Sequence, residues 1–184
     1  MLVIGVSGHR ILAELDKINA GVEAALDHIE KSFPNQSLAV MSLLAEGADR
    51  IVADQVLARS GAKLIVPLPL PQADYETDFE TEESKGEFRQ LLARADGIIE
   101  IPTPASRNEA YEAAGIHILE NCDILLTIWD GQASQGQGGT GEIVSLARQY
   151  NLPIAWVHAG NRKPGTNEPT SLGEEQGKVT FEDF

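Results

Sequence analysis

The amino-acid sequence predicts an α/β fold: a Rossmann-like open, mainly parallel sheet with helices on both faces. Three observations carry that expectation. Six short runs rich in leucine or β-branched residues recur along the 184-residue chain. They are apolar throughout instead of alternating, as strands buried on both faces are. Amphipathic stretches of helical period separate them, and such alternation implies βαβ units with right-handed crossovers.

The predicted strands are 2–6, 38–43, 63–66, 97–101, 123–129 and 153–157. Between the first two, Ile11, Leu15, Ile18, Val22, Ala25, Leu26 and Ile29 recur at helical spacing, with Glu14, Asp16, Lys17, Glu23 and Asp27 on the other face. Ile51, Val52, Val56 and Leu57 mark a second helix, with Gly61 placed to end it. Phe88, Leu91 and Leu92 suggest a third, ending near Ala95. Ala110, Ala113, Ala114, His117 and Ile118 suggest a fourth, and Ile143, Val144, Leu146, Ala147 and Tyr150 a fifth.

Two segments break this rhythm. Residues 67–83 are proline-rich and then acidic, carrying Asp74, Glu76, Asp78, Glu80, Glu82 and Glu83, and read as a solvated surface loop or a lid over a ligand. The chain therefore divides into a nucleotide-binding domain, 1–158, and a polar C-terminal tail, 159–184. That tail reads as disordered or as an arm laid on another subunit, with Phe181 and Phe184 available to bury.

Composition narrows the function. With 42% hydrophobic and 23% charged residues the chain is globular, and 184 residues suit one domain. The only cysteine, Cys122, excludes an intramolecular disulfide and fits a reducing compartment, so the expected location is cytoplasmic. No apolar run reaches the ~18 residues a bilayer span needs, so no membrane partner is expected. A net charge of −14 disfavours nucleic acid as a partner. His9, His28, His117 and His158 lack metal-ligand spacing, and neither a metal nor a cofactor is expected.

Open parallel sheets bind ligands beyond the carboxyl ends of their strands, where helix N-termini offer free N–H groups. After the first strand comes Ser7-Gly8-His9-Arg10, and after the second Ala45-Glu46-Gly47-Ala48-Asp49-Arg50. After the fifth come Asp130-Gly131 and then Gly136-Gln137-Gly138-Gly139-Thr140-Gly141-Glu142. Convergence of the three loops would form one cleft. The glycines of the third leave amides uncovered before a helix, so Gly138, Gly139 and Thr140 are candidates to cradle a phosphate. Thr140 would cap that helix, placing Glu142 at its second position, off the capping-box register. Glu142 then either complements the helix dipole or acts on a ligand.

Arg10 could pair with a phosphate in a bidentate fork, with Gly8 and His9 beside it, or could pair with Glu14 one turn on. Glu46, Gly47 and Asp49 open the second helix as ligand groups or as acids favoured by the dipole. Asp130, with Gly131, could accept ribose hydroxyls or brace the following turn.

These three motifs in order, Val6-Ser-Gly-His-Arg10, Leu44-Ala-Glu-Gly-Ala-Asp-Arg50, and Trp129-Asp-Gly131 followed by Gly138-Gly-Thr-Gly-Glu142, resemble the SLOG superfamily across about 1–158. That superfamily groups the Lonely Guy proteins, the DNA-processing proteins of Smf/DprA type and nucleotide-sensing modules of bacterial defence systems. The resemblance implies a Rossmann-like sheet that binds nucleotides, nucleotide sugars or related molecules. The Lonely Guy enzymes cleave the N-glycosidic bond of nucleoside monophosphates and carry P-G-G-x-G-T-x-x-E, to which Gly136, Gly139 and Thr140 correspond in register. Gln137 stands for a glycine, and Glu142 comes one residue early. The stretch from Gly139 to Pro153 also resembles the nucleoside deoxyribosyltransferases, whose nucleophile is a glutamate on that helix.

The expected function is binding of a nucleotide-like small molecule as sensor or carrier. N-glycosidic hydrolysis or transfer is the enzymatic alternative, with Glu142 as catalytic group and Glu46 in reserve. An assembly module with a vestigial site is the third reading. A homodimer is expected, with the C-terminal arm contributing to it.

Overall fold

A computed structural model describes residues 1–102, 106–133 and 138–184. Its frame is one seven-stranded sheet: β1 (Leu2–Gly8), β2 (Leu38–Met41), β3 (Lys63–Leu68), β4 (Gly97–Glu100), β5 (Ile124–Trp129), β6 (Ile154–His158) and β7 (Val179–Glu182). Their order across the sheet is β4-β3-β2-β1-β5-β6-β7. The first six strands run parallel, and β7 pairs antiparallel with β6. The predicted mainly parallel sheet is therefore present, with each of its six predicted strands.

The parallel strands are apolar because both faces are covered. Every residue of β5 is buried, and Ile4 of β1, paired with Val40 and Ile124, is fully inaccessible. On one face lie α1 (Leu15–Ser32), α2 (Ala48–Leu57) and α4 (Glu82–Leu92), whose Ile18, Val22, Val52, Val56 and Phe88 join one core cluster. On the other lie α5 (Arg107–Asn121) and α6 (Thr140–Gln149), which pack on each other and on β1 and β5. The chain leaves β1 outward through β2, β3 and β4, then returns to its other side at β5. That reversal opens a crevice beyond the carboxyl ends of β1 and β5. Among the described residues no helix is long and apolar enough to cross a membrane.

Two expectations need correction. Residues 67–83 are not a solvated loop: the short helix α3 (Gln72–Tyr75) and a 3-10 turn (Glu76–Asp78) bring Tyr75 and Phe79 into the core, each 1% exposed. The two rings meet edge-on, 5.2 Å apart, and both pack on Phe88. Glu76 and Asp78 between them are half-buried, and Asp78 joins the exposed Asp74 in holding Arg107, at 2.9 and 3.1 Å. Acidic composition hid two aromatic anchors that lie in the core.

Residues 159–184, expected as a separate tail or an arm on another subunit, instead finish this chain's own sheet as β7. The Gly177 amide donates to the His158 carbonyl at 2.7 Å. Gln176, 4% exposed, accepts from the amides of Gly160 and Leu172 and donates to the Ala13 carbonyl at 2.9 Å. The segment lies close on α1 at Gly21, where a Cβ would sit 2.4 Å from the Gly177 carbonyl. Four residues of ladder and one buried glutamine suffice, and neither makes a periodic signal.

Candidate functional site

Beyond the carboxyl ends of β1 and β2, on the side covered by α5 and α6, lies a cavity of about 320 Å³. Its walls include Gly8 and Arg10 from the first predicted loop, Asp49 from the second, and Gly138, Gly139 and Thr140 from the third. The structure thus brings part of each loop to one place. His9, Glu46, Gly47, Asp130, Gly131 and Glu142 are not among its walls, and each has another engagement. Gly136 and Gln137 lie outside the described residues.

Gly8 and Gly47 are glycines because two backbones meet there. A Cβ on Gly8 would stand 2.4 Å from that of Ala48, and one on Gly47, at φ +75, 2.4 Å from the Arg10 carbonyl. This contact lets the Ala48 amide donate to the His9 carbonyl at 3.1 Å, joining the first loop to the N-terminus of α2.

His9 is 8% exposed and faces inward. The Asp130 amide donates to its Nε2 at 3.0 Å, and the Asp130 carboxylate lies 3.3 Å from the same nitrogen. Burial lowers its pKa, against the raising effect of Asp130. The Asp130 carboxylate accepts from the Gln132 amide at 3.0 Å. This is the turn-bracing alternative, not a group pointed at the cavity.

Arg10 pairs not with Glu14 but with Glu46, at 2.8 Å, and also donates to the Asp78 carbonyl at 3.3 Å. The other oxygen of Glu46 accepts from the Ser84 hydroxyl. Arg50 lies behind, 7% exposed, donating to Leu44, Ser84 and Glu87 with its guanidinium 4.8 Å over Phe79. Glu46, the reserve catalytic residue, is thus the acid that holds Arg10 at the rim.

Asp49 is the one wall carboxylate among the described residues. The Ser42 hydroxyl at 3.0 Å and the Ala45 amide at 3.3 Å both donate to its Oδ2. Burial pushes its pKa up to about 6, although those bonds, the Leu43 backbone and the Arg10 charge pull the other way. Asp49, offered by the sequence as a ligand group or as an acid favoured by the α2 dipole, thus sits on the cavity wall.

The third loop is corrected in register. Gly139, extended at φ −77 and ψ 158, is the N-cap of α6, so Thr140 is its first residue and Glu142 its third. From there Glu142 turns back and accepts the Gly138 amide at 2.7 Å. That removes Gly138 from the free amides of the cradle and directs the catalytic candidate to its own backbone. The amides of Thr140 and Gly141, in the first helical turn, have no intrahelical acceptor.

Sequence reasoning missed Tyr75 and Tyr111, which also line the cavity. Their hydroxyls are buried and have no hydrogen-bond partner among the described residues. The capping box of Ser106 and Glu109 was legible as S-x-x-E and starts α5, which carries Tyr111. Nothing local marks Tyr75. Cys122 is buried with its thiol pushed up to about 11, as suits a packed residue.

This chain is similar to TM1055, a structural-genomics target solved by X-ray crystallography, with a TM-score of 0.47 and 14% sequence identity over 84% of this chain and 72% of that one. No protein-family model matches the sequence, and no curated protein matches it.

Proposed function

We propose that this protein binds a nucleotide or nucleotide-derived ligand in the cavity beyond β1 and β2, as a sensor or carrier of SLOG type. The observation that carries this reading is the meeting of three glycine-bearing loops at the sheet's reversal point, around a space within the range of small-molecule sites, about 300–1,000 Å³. The first turn of α6 and Arg10, the one wall cation among the described residues, each favour an anionic group. Leu43, Ile118 and Ile143 offer apolar wall to a ring.

The test is a thermal-shift screen against nucleotides and nucleotide sugars. A ligand at 100 times its dissociation constant adds about 2.7 kcal/mol, or about 5–10 °C for a chain of this size. Gly139→Val should abolish the shift from phosphorylated ligands. A screen in which no nucleotide shifts the melting point rejects the reading. Binding without turnover is the form favoured by Glu142, whose carboxylate is bonded to Gly138. Incubation with nucleoside monophosphates should therefore release no free base by chromatography, and release abolished by Glu142→Gln would establish the glycosidase instead.

A further inference from the structure

The cavity holds a second set of polar groups beside the α6 turn and Arg10. Asp49 faces it from α2, Tyr75 from the 67–83 segment and Tyr111 from α5. The two tyrosine rings stand 6.1 Å apart, tilted by 53°. Tyr75 is 1% exposed, and its hydroxyl, like that of Tyr111, has no hydrogen-bond partner among the described residues. A buried hydroxyl without a partner is costly, so such a group on a cavity wall is poised for a partner that the ligand brings. The Asp49 carboxylate disfavours a phosphate against it and accepts only from N–H or O–H donors while ionised. The combination is therefore one acceptor beside hydroxyls able to donate, set against apolar wall.

Resting on the nucleotide-binding reading, we propose that Asp49, Tyr75 and Tyr111 form a base-selecting subsite that takes a ring amide edge, an N–H adjacent to a C=O. The N–H donates to Asp49, and the carbonyl accepts from a tyrosine hydroxyl. Rings without that N–H, or methylated on it, are rejected because they bring no donor to the acceptor positions of the carboxylate that Ser42 and Ala45 leave open.

Asp49→Asn reverses the polarity of this subsite. The amide oxygen takes the place of Oδ2 under Ser42 and Ala45, and the NH2 group then presents a donor where the carboxylate presented an acceptor. Tyr75→Phe removes only a hydroxyl and keeps the ring. Calorimetric titration uses uridine, inosine and adenosine 5′-monophosphates together with 3-methyluridine and 1-methylinosine 5′-monophosphates. Wild-type protein should bind the uridine or inosine nucleotide at least 10-fold more tightly than its N-methyl counterpart. Asp49→Asn should lose at least 10-fold for the unmethylated nucleotide and reduce the methylation effect below 2-fold. Tyr75→Phe should lose about 5-fold, with a melting point within a few degrees of wild type. The subsite is overturned if methylation costs nothing, if both variants bind as wild type does, or if only the adenosine nucleotide binds. Absence of binding by any of the five rejects the underlying nucleotide reading, whereas the other negative outcomes leave that reading standing.

Discussion

Asp49 is the residue at which stability and function are most directly opposed. Its folded pKa of about 6 lies above the ordinary value of 3.8. The folded state thus holds its proton more tightly than the unfolded chain does, and the resulting stability is full below pH 4 and lost as pH rises through about 6. Above that range, ionised and buried, it costs on the order of 3 kcal/mol. Asp49→Asn should therefore melt higher than wild type at pH 7.5, with the difference shrinking toward pH 4.5; a pH-independent difference would contradict the buried titration. Gly47 offers a second check. A side chain there meets the Arg10 carbonyl at a backbone conformation that only glycine adopts readily, so Gly47→Ala should cost about 3 kcal/mol or more in urea unfolding. Both residues were candidates from the sequence alone, because they stand just after a strand end. Neither the burial of Asp49 nor the contact that requires Gly47 is local, so neither was legible there.

At the scale of the element, α6 shows how a one-residue change in where a helix begins alters what its side chains do. Each residue turns about 100° around the axis, so moving the cap from Thr140 to Gly139 rotates Glu142 from the second position to the third. There it closes on the Gly138 amide. Glu142→Gln keeps a weaker acceptor for that amide and should cost about 1 kcal/mol in unfolding free energy. A loss near zero would mean that the carboxylate is free to act elsewhere. The 67–83 segment makes the complementary point, because its acids predicted exposure and its two aromatics decided burial. Phe79→Ala should cost about 3–5 kcal/mol by emptying the space beneath Arg50, measured by thermal or denaturant unfolding.

For the whole molecule, the C-terminal strand changes what a truncation means. Removing 159–184 takes away β7, exposes the edge of β6 and strips Gln176 from the Ala13 carbonyl. The truncated chain should melt at least about 10 °C lower at every protein concentration, as differential scanning calorimetry would record. A shift that shrank with dilution would instead restore the arm between subunits on which the expected dimer rested. The same segment carries Phe181 and Phe184, whose rings meet His28 of α1 at 3.9 and 5.6 Å; Phe181 is half-buried there and Phe184 stays exposed.

The sequence by itself determined the sheet. Apolar runs separated by amphipathic ones leave few arrangements that bury every stripe, and right-handed crossovers then place the loop residues at one edge. It also marked the glycine positions where those loops meet, since local sequence shows where a side chain is missing. The tertiary structure alone decided which polar groups face the cavity. Asp49, Tyr75 and Tyr111 come from three elements far apart in the chain, and their burial, pairing and protonation depend on what the other two and the sheet place around them. It likewise decided that Glu46, Asp130 and Glu142 serve Arg10, a turn and a helix cap, because a carboxylate goes to the nearest unpaired donor and distance in space is not written in spacing along the chain.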